Sequence, residues 1–104
     1  MRNNYSKYKW VNSDTNSLFE AILTLESVEE ARNFFRDLLT EQEITEFGQR
    51  GKGARLLAKD IPYTQIEKET GMSSKTIARI QKWLKDGMGG YLTMIKKLGE
   101  KGGL

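Results

Sequence analysis

Cysteine and histidine are both absent from this sequence of 104 residues. Their absence excludes disulfide bonds, zinc sites built from Cys and His ligands, cysteine nucleophiles and histidine acid–base catalysis. The apolar runs are only a few residues long, far short of the roughly 20 residues that a membrane-spanning helix needs. The first eleven residues also lack the apolar segment of a signal peptide. We therefore expect a cytoplasmic protein without a metal ion, a cofactor or a membrane anchor.

The composition also limits how the chain can be organised. With 104 residues and one proline, the length predicts a single compact domain near the low end of ordinary domain sizes. An apolar fraction of 38% beside a charged fraction of 30% leaves little material for the core of a monomer. A thin core of this kind favours a subunit that shares its interior with a second copy.

Charge is distributed unevenly along the chain, although its net value is only +3. Residues 1–48 contain 5 Lys or Arg and 9 Asp or Glu, whereas residues 49–104 contain 12 and 5. A basic second half is typical of a surface that faces a polyanion such as a nucleic acid. The same imbalance also arises by chance on solvated helices, so on its own it indicates attraction and says nothing of the fold.

Apolar residues recur every three or four positions and never alternate, which predicts an all-α fold of five or six helices. We expect a mobile arm over residues 1–13, one helical domain over 14–98 with a helix-turn-helix at about 63–86, and a flexible tail over 99–104. Capping residues, proline and glycine mark the helix boundaries. These are Ser13 or Asp14, Ser27 with Glu30, Thr40 with Glu43, Pro62, Gly71, and Gly89 with Gly90.

The third predicted helix carries three glycines in its middle, Gly48, Gly51 and Gly53. Each costs about 0.5–1 kcal/mol relative to alanine in a helix interior. Gly51 also lies where the apolar stripe calls for a large side chain. Either another backbone approaches this helix closely or its packing is poor, and the pattern does not decide between the two. The predicted stripe consists of Ile44, Phe47, Gly51, Ala54, Leu57 and Ala58.

Residues 63–80 have the spacing of a helix-turn-helix. Ile66 provides an apolar anchor for the first motif helix, and Gly71 allows the positive φ that a sharp turn needs. A longer helix then begins at a Ser73 or Ser74 cap. The apolar residues that hold this second helix in place are Met72, Ile77, Ile80 and Leu84.

The exposed face of the second motif helix combines small polar side chains with cations. Small side chains let a helix approach base edges, while lysine and arginine contact phosphates or guanine. A charged row is also typical of a solvated helix in a plain helical hairpin, but balancing acids are nearly absent before Asp86. The pattern therefore favours DNA binding over a structural hairpin. The face consists of Ser73, Ser74, Lys75, Thr76, Ala78 and Arg79, and its cations continue with Lys82 and Lys85.

The stretches 39–43, 49–57 and 66–79 together resemble the tryptophan repressor superfamily, in particular its branch of small repressor-like proteins with no established ligand. The resemblance covers about half the chain. It implies an intertwined all-helical homodimer whose helix-turn-helix units enter successive major grooves of a palindromic operator in double-stranded DNA. It implies DNA contacts from Tyr63, Thr64, Ser74, Lys75, Thr76, Ala78 and Arg79, to which the exposed face adds Ser73 and Lys82.

The resemblance also implies a candidate effector pocket. In the tryptophan repressor the bound amino acid lies between two arginines and near a threonine, for which Arg79, Arg50, Thr76 and Thr40 are the counterparts here. Ile80 stands where the repressor has a glycine beside the indole ring. Because a sec-butyl group occupies the space that the ring needs, we predict that tryptophan is not the ligand. A different small-molecule corepressor remains open.

Two other kinds of function compete with DNA binding. An enzyme has little support, because Glu67 and Glu69 face different sides of a helix and the motif serines are better explained as a helix cap. The stronger rival is a dimeric protein-interaction or RNA-binding module that uses the helix-turn-helix as a scaffold. Salt-dependent binding to duplex DNA separates this rival from a sequence-specific repressor.

Overall fold

The computed structural model describes residues 8–100 of the chain, and this range contains six α-helices and no strand. The all-α prediction of five or six helices is confirmed. The chain divides into two compact units: Met1–Thr40, which contains two of these helices, and Glu41–Leu104, which contains four. Across residues 8–100, no helix combines the length and apolar character needed to cross a membrane. The helices are α1 (Ser13–Ile22), α2 (Val28–Leu38), α3 (Glu41–Ala58), α4 (Tyr63–Thr70), α5 (Ser74–Asp86) and α6 (Gly90–Glu100).

The N-cap of the first helix lies one residue before the earlier of the two predicted caps. Asn12 is the N-cap, and its Oδ1 accepts a hydrogen bond of 3.0 Å from the N–H of Thr15. The Thr15 hydroxyl in turn accepts one of 3.0 Å from the Asn12 N–H. The prediction of Ser13 or Asp14 as the cap is wrong because asparagine caps as well as serine or aspartate does, and a threonine three residues later completes a reciprocal box.

The second helix has its predicted serine cap. Ser27 Oγ accepts a hydrogen bond of 3.0 Å from the N–H of Glu30. The Glu30 carboxylate also reaches backwards, but it accepts from the N–H of Glu26 at 2.9 Å, one residue before the cap. Two backbone N–H groups at this helix start are therefore satisfied by side chains.

None of the residues of α1 and α2 is buried. Their apolar side chains are half-buried at most, and two residues at the ends of these helices, Leu23 and Val28, are 83% and 73% exposed. The rings of Phe34 and Phe35 meet edge to face with centroids 5.3 Å apart. In residues 8–40, the described part of the first unit, well-formed helices thus occur without a core of their own.

The second unit has a compact core in which α3 packs against α4, α5 and α6. Its buried apolar residues come from three helices and the turn between two of them. Leu56, Ile61, Tyr91 and Ile95 pack against this cluster from its edges. The cluster consists of Ala54, Leu57, Ile66, Met72, Ile77, Ile80 and Leu84.

The buried face of α3 differs from the predicted stripe. Its buried residues are Gly53, Ala54 and Leu57, so only the C-terminal half of this 18-residue helix lies in the core. Phe47 is 47% exposed and Ala58 is exposed, although both belong to the predicted stripe. Gly51 does not take the place of a core side chain, because a Cβ there meets only the Arg55 guanidinium at 3.7 Å.

The chain ends also differ in part from expectation. Ser13 was assigned to the arm but is the first residue of α1, and the predicted tail from Gly99 begins inside α6, which runs to Glu100. Within the arm, the rings of Tyr8 and Trp10 lie 5.9 Å apart between centroids. The remainder of the predicted arm, residues 1–7, and of the predicted tail, residues 101–104, lies outside the described residues.

Candidate DNA-binding surface

The turn between α4 and α5 follows the predicted boundaries. Helix α4 begins directly after Pro62, whose lack of an N–H costs nothing at a helix start. It ends at Gly71, which adopts the left-handed conformation with φ +78° and donates its N–H to the carbonyl of Glu67 at 2.9 Å. Glycine adopts this conformation without the steric cost that other residues incur. The predicted role of Gly71 as the turn residue is confirmed.

A buried hydroxyl that the sequence analysis missed holds this turn together. Thr70 is 6% exposed, and its Oγ1 donates a hydrogen bond of 2.7 Å to the carbonyl of Ile66. The same oxygen accepts a hydrogen bond of 3.1 Å from the N–H of Met72. A threonine directly before the turn glycine was the available signal, because short hydroxyl side chains readily bond to nearby backbone groups.

Ser73 closes the N-terminus of α5. Its Oγ accepts a hydrogen bond of 3.2 Å from the N–H of Thr76 and lies 3.2 Å from the Thr76 hydroxyl. The Ser73 hydroxyl is thus engaged with the helix start, while Ser74, the first helical residue, is exposed. The predicted serine cap is confirmed, and Thr76 is half-buried beside it.

Helix α5 has two clearly different faces. Ile77, Ile80 and Leu84 are 0%, 3% and 8% exposed and fix the helix on α3 and α4. The opposite face carries only exposed side chains, and four of them are cations. Asp86 is the single acidic residue of α5, so this face is strongly positive. The exposed residues that were predicted to contact DNA from α5 are Ser74, Lys75, Ala78, Arg79 and Lys82.

The start of α4 contributes two more of the predicted contact residues. Tyr63 is 37% exposed and Thr64 is exposed at the first turn of this helix. Both lie on a short helix of 8 residues that is held to the core by Ile66, which is fully buried. The structure therefore leaves both side chains accessible on the helix-turn-helix.

An ion pair between helices joins α3 to α4 near this surface. The Lys52 ammonium lies 3.9 Å from the carboxylate of Glu69 and donates to its backbone carbonyl at 3.4 Å. The amide of Gln65 donates to the other carboxylate oxygen at 2.9 Å. Because both charged groups are more than a third exposed, the pair contributes less than about 1 kcal/mol. No sequence pattern predicts a pairing across 17 positions.

Two residues of the predicted effector pocket line one cleft in the second unit. This cleft of ≈ 280 Å³ is bounded by Glu46, Gln49, Arg50, Met72 and Thr76. The Arg50 guanidinium lies 5.3 Å from the ring centroid of Phe47, within cation–π distance. Arg79 lies on the exposed face of α5, Ile80 lies in the core, and Thr40 belongs to the other compact unit. The structure thus brings Arg50 and Thr76 together.

Two short helices packed on each other with a left-handed glycine between them, a buried apolar side and a cationic outer side are the arrangement of a helix-turn-helix. Within residues 8–100 no group of acidic side chains is arranged to hold a metal ion. Comparison with known proteins gives the family. Residues 13–99 match the family model described as Trp repressor protein, and the chain belongs to this family. Its members are regulators rather than enzymes.

The relatives extend over most of the chain. The Uncharacterized protein YerC of Bacillus subtilis (strain 168) is 38% identical over 87 residues, which is 84% of either chain. The crystal structure of a TrpR-like protein from Eubacterium eligens ATCC 27750 is 37% identical, with a TM-score of 0.80 over 93% of this chain and 96% of that one. A second crystal structure, from Staphylococcus aureus, is 36% identical, with a TM-score of 0.81 over 85% and 88%. The resemblance inferred from the sequence is confirmed.

Proposed function

We propose that this protein is a sequence-specific transcriptional regulator, acting as a repressor, that binds a palindromic operator as a homodimer. One observation carries the proposal: the buried face of α5 holds the helix on the core, while its opposite face presents Lys75, Arg79 and Lys82 to solvent. A helix held rigidly on one side and cationic on the other has the properties that entry into a major groove requires.

The composition of the exposed face supports direct contact with bases. Ser74 and Ala78 are small, so the helix backbone can approach the base edges closely. Arg79 is the residue best suited to pair with a guanine, because its planar guanidinium donates two parallel hydrogen bonds. Tyr63 and Thr64 on α4 are placed to contact the phosphate backbone, which fixes the register of the protein on the duplex.

A homodimer is supported by the first unit. Helices α1 and α2 carry many apolar residues and bury none of them. Phe19, Leu23, Val28 and Leu38 are 45%, 83%, 73% and 47% exposed, and exposed apolar side chains that lie together are typical of an interface. A second copy that covers it makes a two-fold symmetric protein with two helix-turn-helix units, and such a protein binds a palindromic site. The regulator acts on chromosomal DNA, so we place it in the cytoplasm.

We assign a small-molecule effector other than tryptophan, if the repressor uses one, to the cleft that Arg50 and Thr76 line. Ile80 is 3% exposed, so its side chain already occupies core space that an indole would need. Glu46 adds a carboxylate to the cleft wall, which is unfavourable for the carboxylate of a free amino acid. Isothermal calorimetry with the dimer is expected to detect no binding of tryptophan at micromolar concentrations, and a clear isotherm there overturns this assignment.

The experiment that tests DNA binding is selection of bound duplexes from a random pool, followed by affinity measurements against salt. We expect one enriched palindrome. If Arg79 contacts a guanine, Arg79→Ala is expected to weaken binding to this palindrome by roughly 1–3 kcal/mol and to relax the sequence preference at one base pair. If Lys75 contacts a phosphate, Lys75→Ala weakens all duplexes alike and reduces the salt slope by about 1.

Lys96→Ala is the matched control, since it removes the same charge from an exposed position of α6 outside the helix-turn-helix. Equal losses for Lys75→Ala and Lys96→Ala indicate unspecific attraction to the net charge and contradict the proposed surface. A folded dimer that enriches no duplex at low salt contradicts DNA recognition altogether. That result favours the protein-interaction or RNA-binding module, which selection from an RNA pool then examines.

A further inference from the structure

Gly53 of α3 lies directly beneath the turn of the helix-turn-helix. A Cβ added to Gly53 would lie 2.6 Å from the terminal methyl carbon of Met72 and 3.5 Å from Cδ1 of Ile80. Non-bonded carbon atoms pack at about 3.5–4.0 Å, so Met72 occupies the space that any side chain at residue 53 would need. The turn therefore packs against the bare backbone of α3.

The other two glycines of α3 have no such contact. A Cβ at Gly48 meets nothing within 4 Å, and one at Gly51 meets only a flexible arginine at ordinary distance. A helix interior generally favours alanine over glycine by about 0.8–1.0 kcal/mol on propensity alone. Gly53 is thus the one glycine among these three whose missing side chain has a packing consequence.

Met72 connects this contact to the DNA-binding surface. It is 9% exposed, its N–H is held by the Thr70 hydroxyl at 3.1 Å, and the next residue is Ser73, the cap of α5. The contact is made by the far end of the Met72 side chain, and the Met72 backbone lies one residue before the cap of α5, close to Ser74 and Lys75, where the cationic face begins. Ile80, the second neighbour of Gly53, lies two turns further along the same helix.

We propose that Gly53 is a positioning residue for DNA recognition: the missing side chain sets how deeply Met72, and with it the N-terminus of α5, packs against α3. This inference rests on the proposed function, because it concerns the placement of the same surface. Recognition of a base sequence depends on sub-ångström placement of the contacting side chains, whereas unspecific attraction depends on charge alone.

The test compares Gly53→Ala with Gly48→Ala, which makes the same chemical change in the same helix where space is open. Each is titrated with the duplex that the wild-type chain enriches most and with a shuffled duplex of equal length. We expect Gly53→Ala to bind the enriched duplex about tenfold more weakly, the loss that one impaired base contact causes. On the shuffled duplex it should equal wild type, and Gly48→Ala should equal wild type on both.

A compensating variant separates positioning from a general structural defect. Met72→Leu lacks the terminal methyl group that an alanine at residue 53 would displace. The double variant Gly53→Ala/Met72→Leu is therefore expected to bind the enriched duplex more tightly than Gly53→Ala alone. Thermal unfolding of all variants is measured in parallel, because helix propensity favours alanine at residue 53 while overpacking against Met72 opposes it. A positioning role predicts a loss of affinity for the enriched duplex alone, whatever the change in Tm.

Each outcome decides the inference. If wild type enriches no duplex, the proposed function fails and this inference fails with it. If wild type enriches a duplex and Gly53→Ala binds it as Gly48→Ala does, the inference alone fails, because Met72 then adjusts without moving α5. An equal loss on both duplexes, or no recovery in the double variant, assigns Gly53 to stability and overturns its positioning role.

Discussion

The two units of this chain are built from similar helices but differ in what those helices bury. Both units have serine-capped helices with matching hydrogen bonds, at Ser27 in the first and Ser73 in the second. Yet every buried residue in the described range lies in the second unit, between residues 53 and 84. Local signals thus form helices in both units, while only the second combines them into a core.

This difference separates two tasks within the chain. The second unit needs its own core because the helix that we propose reads DNA must be held rigidly, and Ile66 and Ile77, both fully buried, provide that support. The first unit lacks a core because, as we propose, its apolar faces are completed by a second copy. Substitutions in either unit can therefore break or sharpen this contrast.

Removing the anchor of the second unit should have the largest effect. Ile66→Ala is expected to lower the free energy of unfolding by about 2–5 kcal/mol, since it empties a fully buried site. Urea denaturation followed by circular dichroism measures this. Ile66→Val, which removes a single methylene, should cost only about 0.5–1.5 kcal/mol. An alanine variant no less stable than the valine variant contradicts the assignment of Ile66 to a close-packed core.

A charge placed on the apolar side of α2 should break the proposed dimer. Leu38 is 47% exposed, and burial of a leucine against a partner contributes about 1.5–3 kcal/mol, so Leu38→Asp should raise the dimer dissociation constant at least tenfold. Sedimentation equilibrium reads the mass directly. Asn33→Asp adds the same charge at an exposed polar position of the same helix and should leave the mass unchanged. If Leu38→Asp and Asn33→Asp have the same mass in solution, Leu38 and its side of α2 do not form a dimer interface.

Much of the fold could be predicted from the sequence because its signals are local. Pro62, Gly71 and Ser73 each determine backbone conformation within a few residues, so the bounds of α4 and the start of α5 agree with prediction. The stripe of α3 could not be predicted as well. Only half of that helix packs against α4 and α5, and the length of contact between helices is set by tertiary structure.

The candidate DNA-binding surface could also be predicted only in part. The cations of α5 follow from helical spacing alone, and the structure leaves them exposed as the pattern requires. The hydrogen bonds of Thr70, the ion pair of Lys52 and the contact of Gly53 with Met72 were not predicted. The last two join residues 17 and 19 positions apart, and a single sequence carries no signal for such pairs.

The turn of the second unit offers a smaller effect with a clear cause. Thr70→Val keeps the shape of the side chain but leaves the Met72 N–H buried without its acceptor, which should cost about 1–3 kcal/mol. Thr70→Ser keeps the hydroxyl and should retain most of the stability. Faster hydrogen exchange at the Met72 amide would show that the loss of stability arises at the turn. If valine is tolerated as well as serine, the buried hydroxyl does not hold the turn.

The two serine caps allow the most direct comparison of the units and the smallest expected effect. Ser73→Ala and Ser27→Ala each remove one cap hydrogen bond, which is worth about 1 kcal/mol. Because the first unit lacks a core of its own, α2 is expected to fray after Ser27→Ala when the chain is dilute and to be protected when dimers form at high concentration. Hydrogen exchange at two protein concentrations measures the fraying of α2.

Aspartate at either position keeps a cap acceptor and serves as the control. Protection of α2 that does not depend on concentration would mean that the first unit is stable without a second copy, and the contrast between the units would then lie in packing density rather than in assembly.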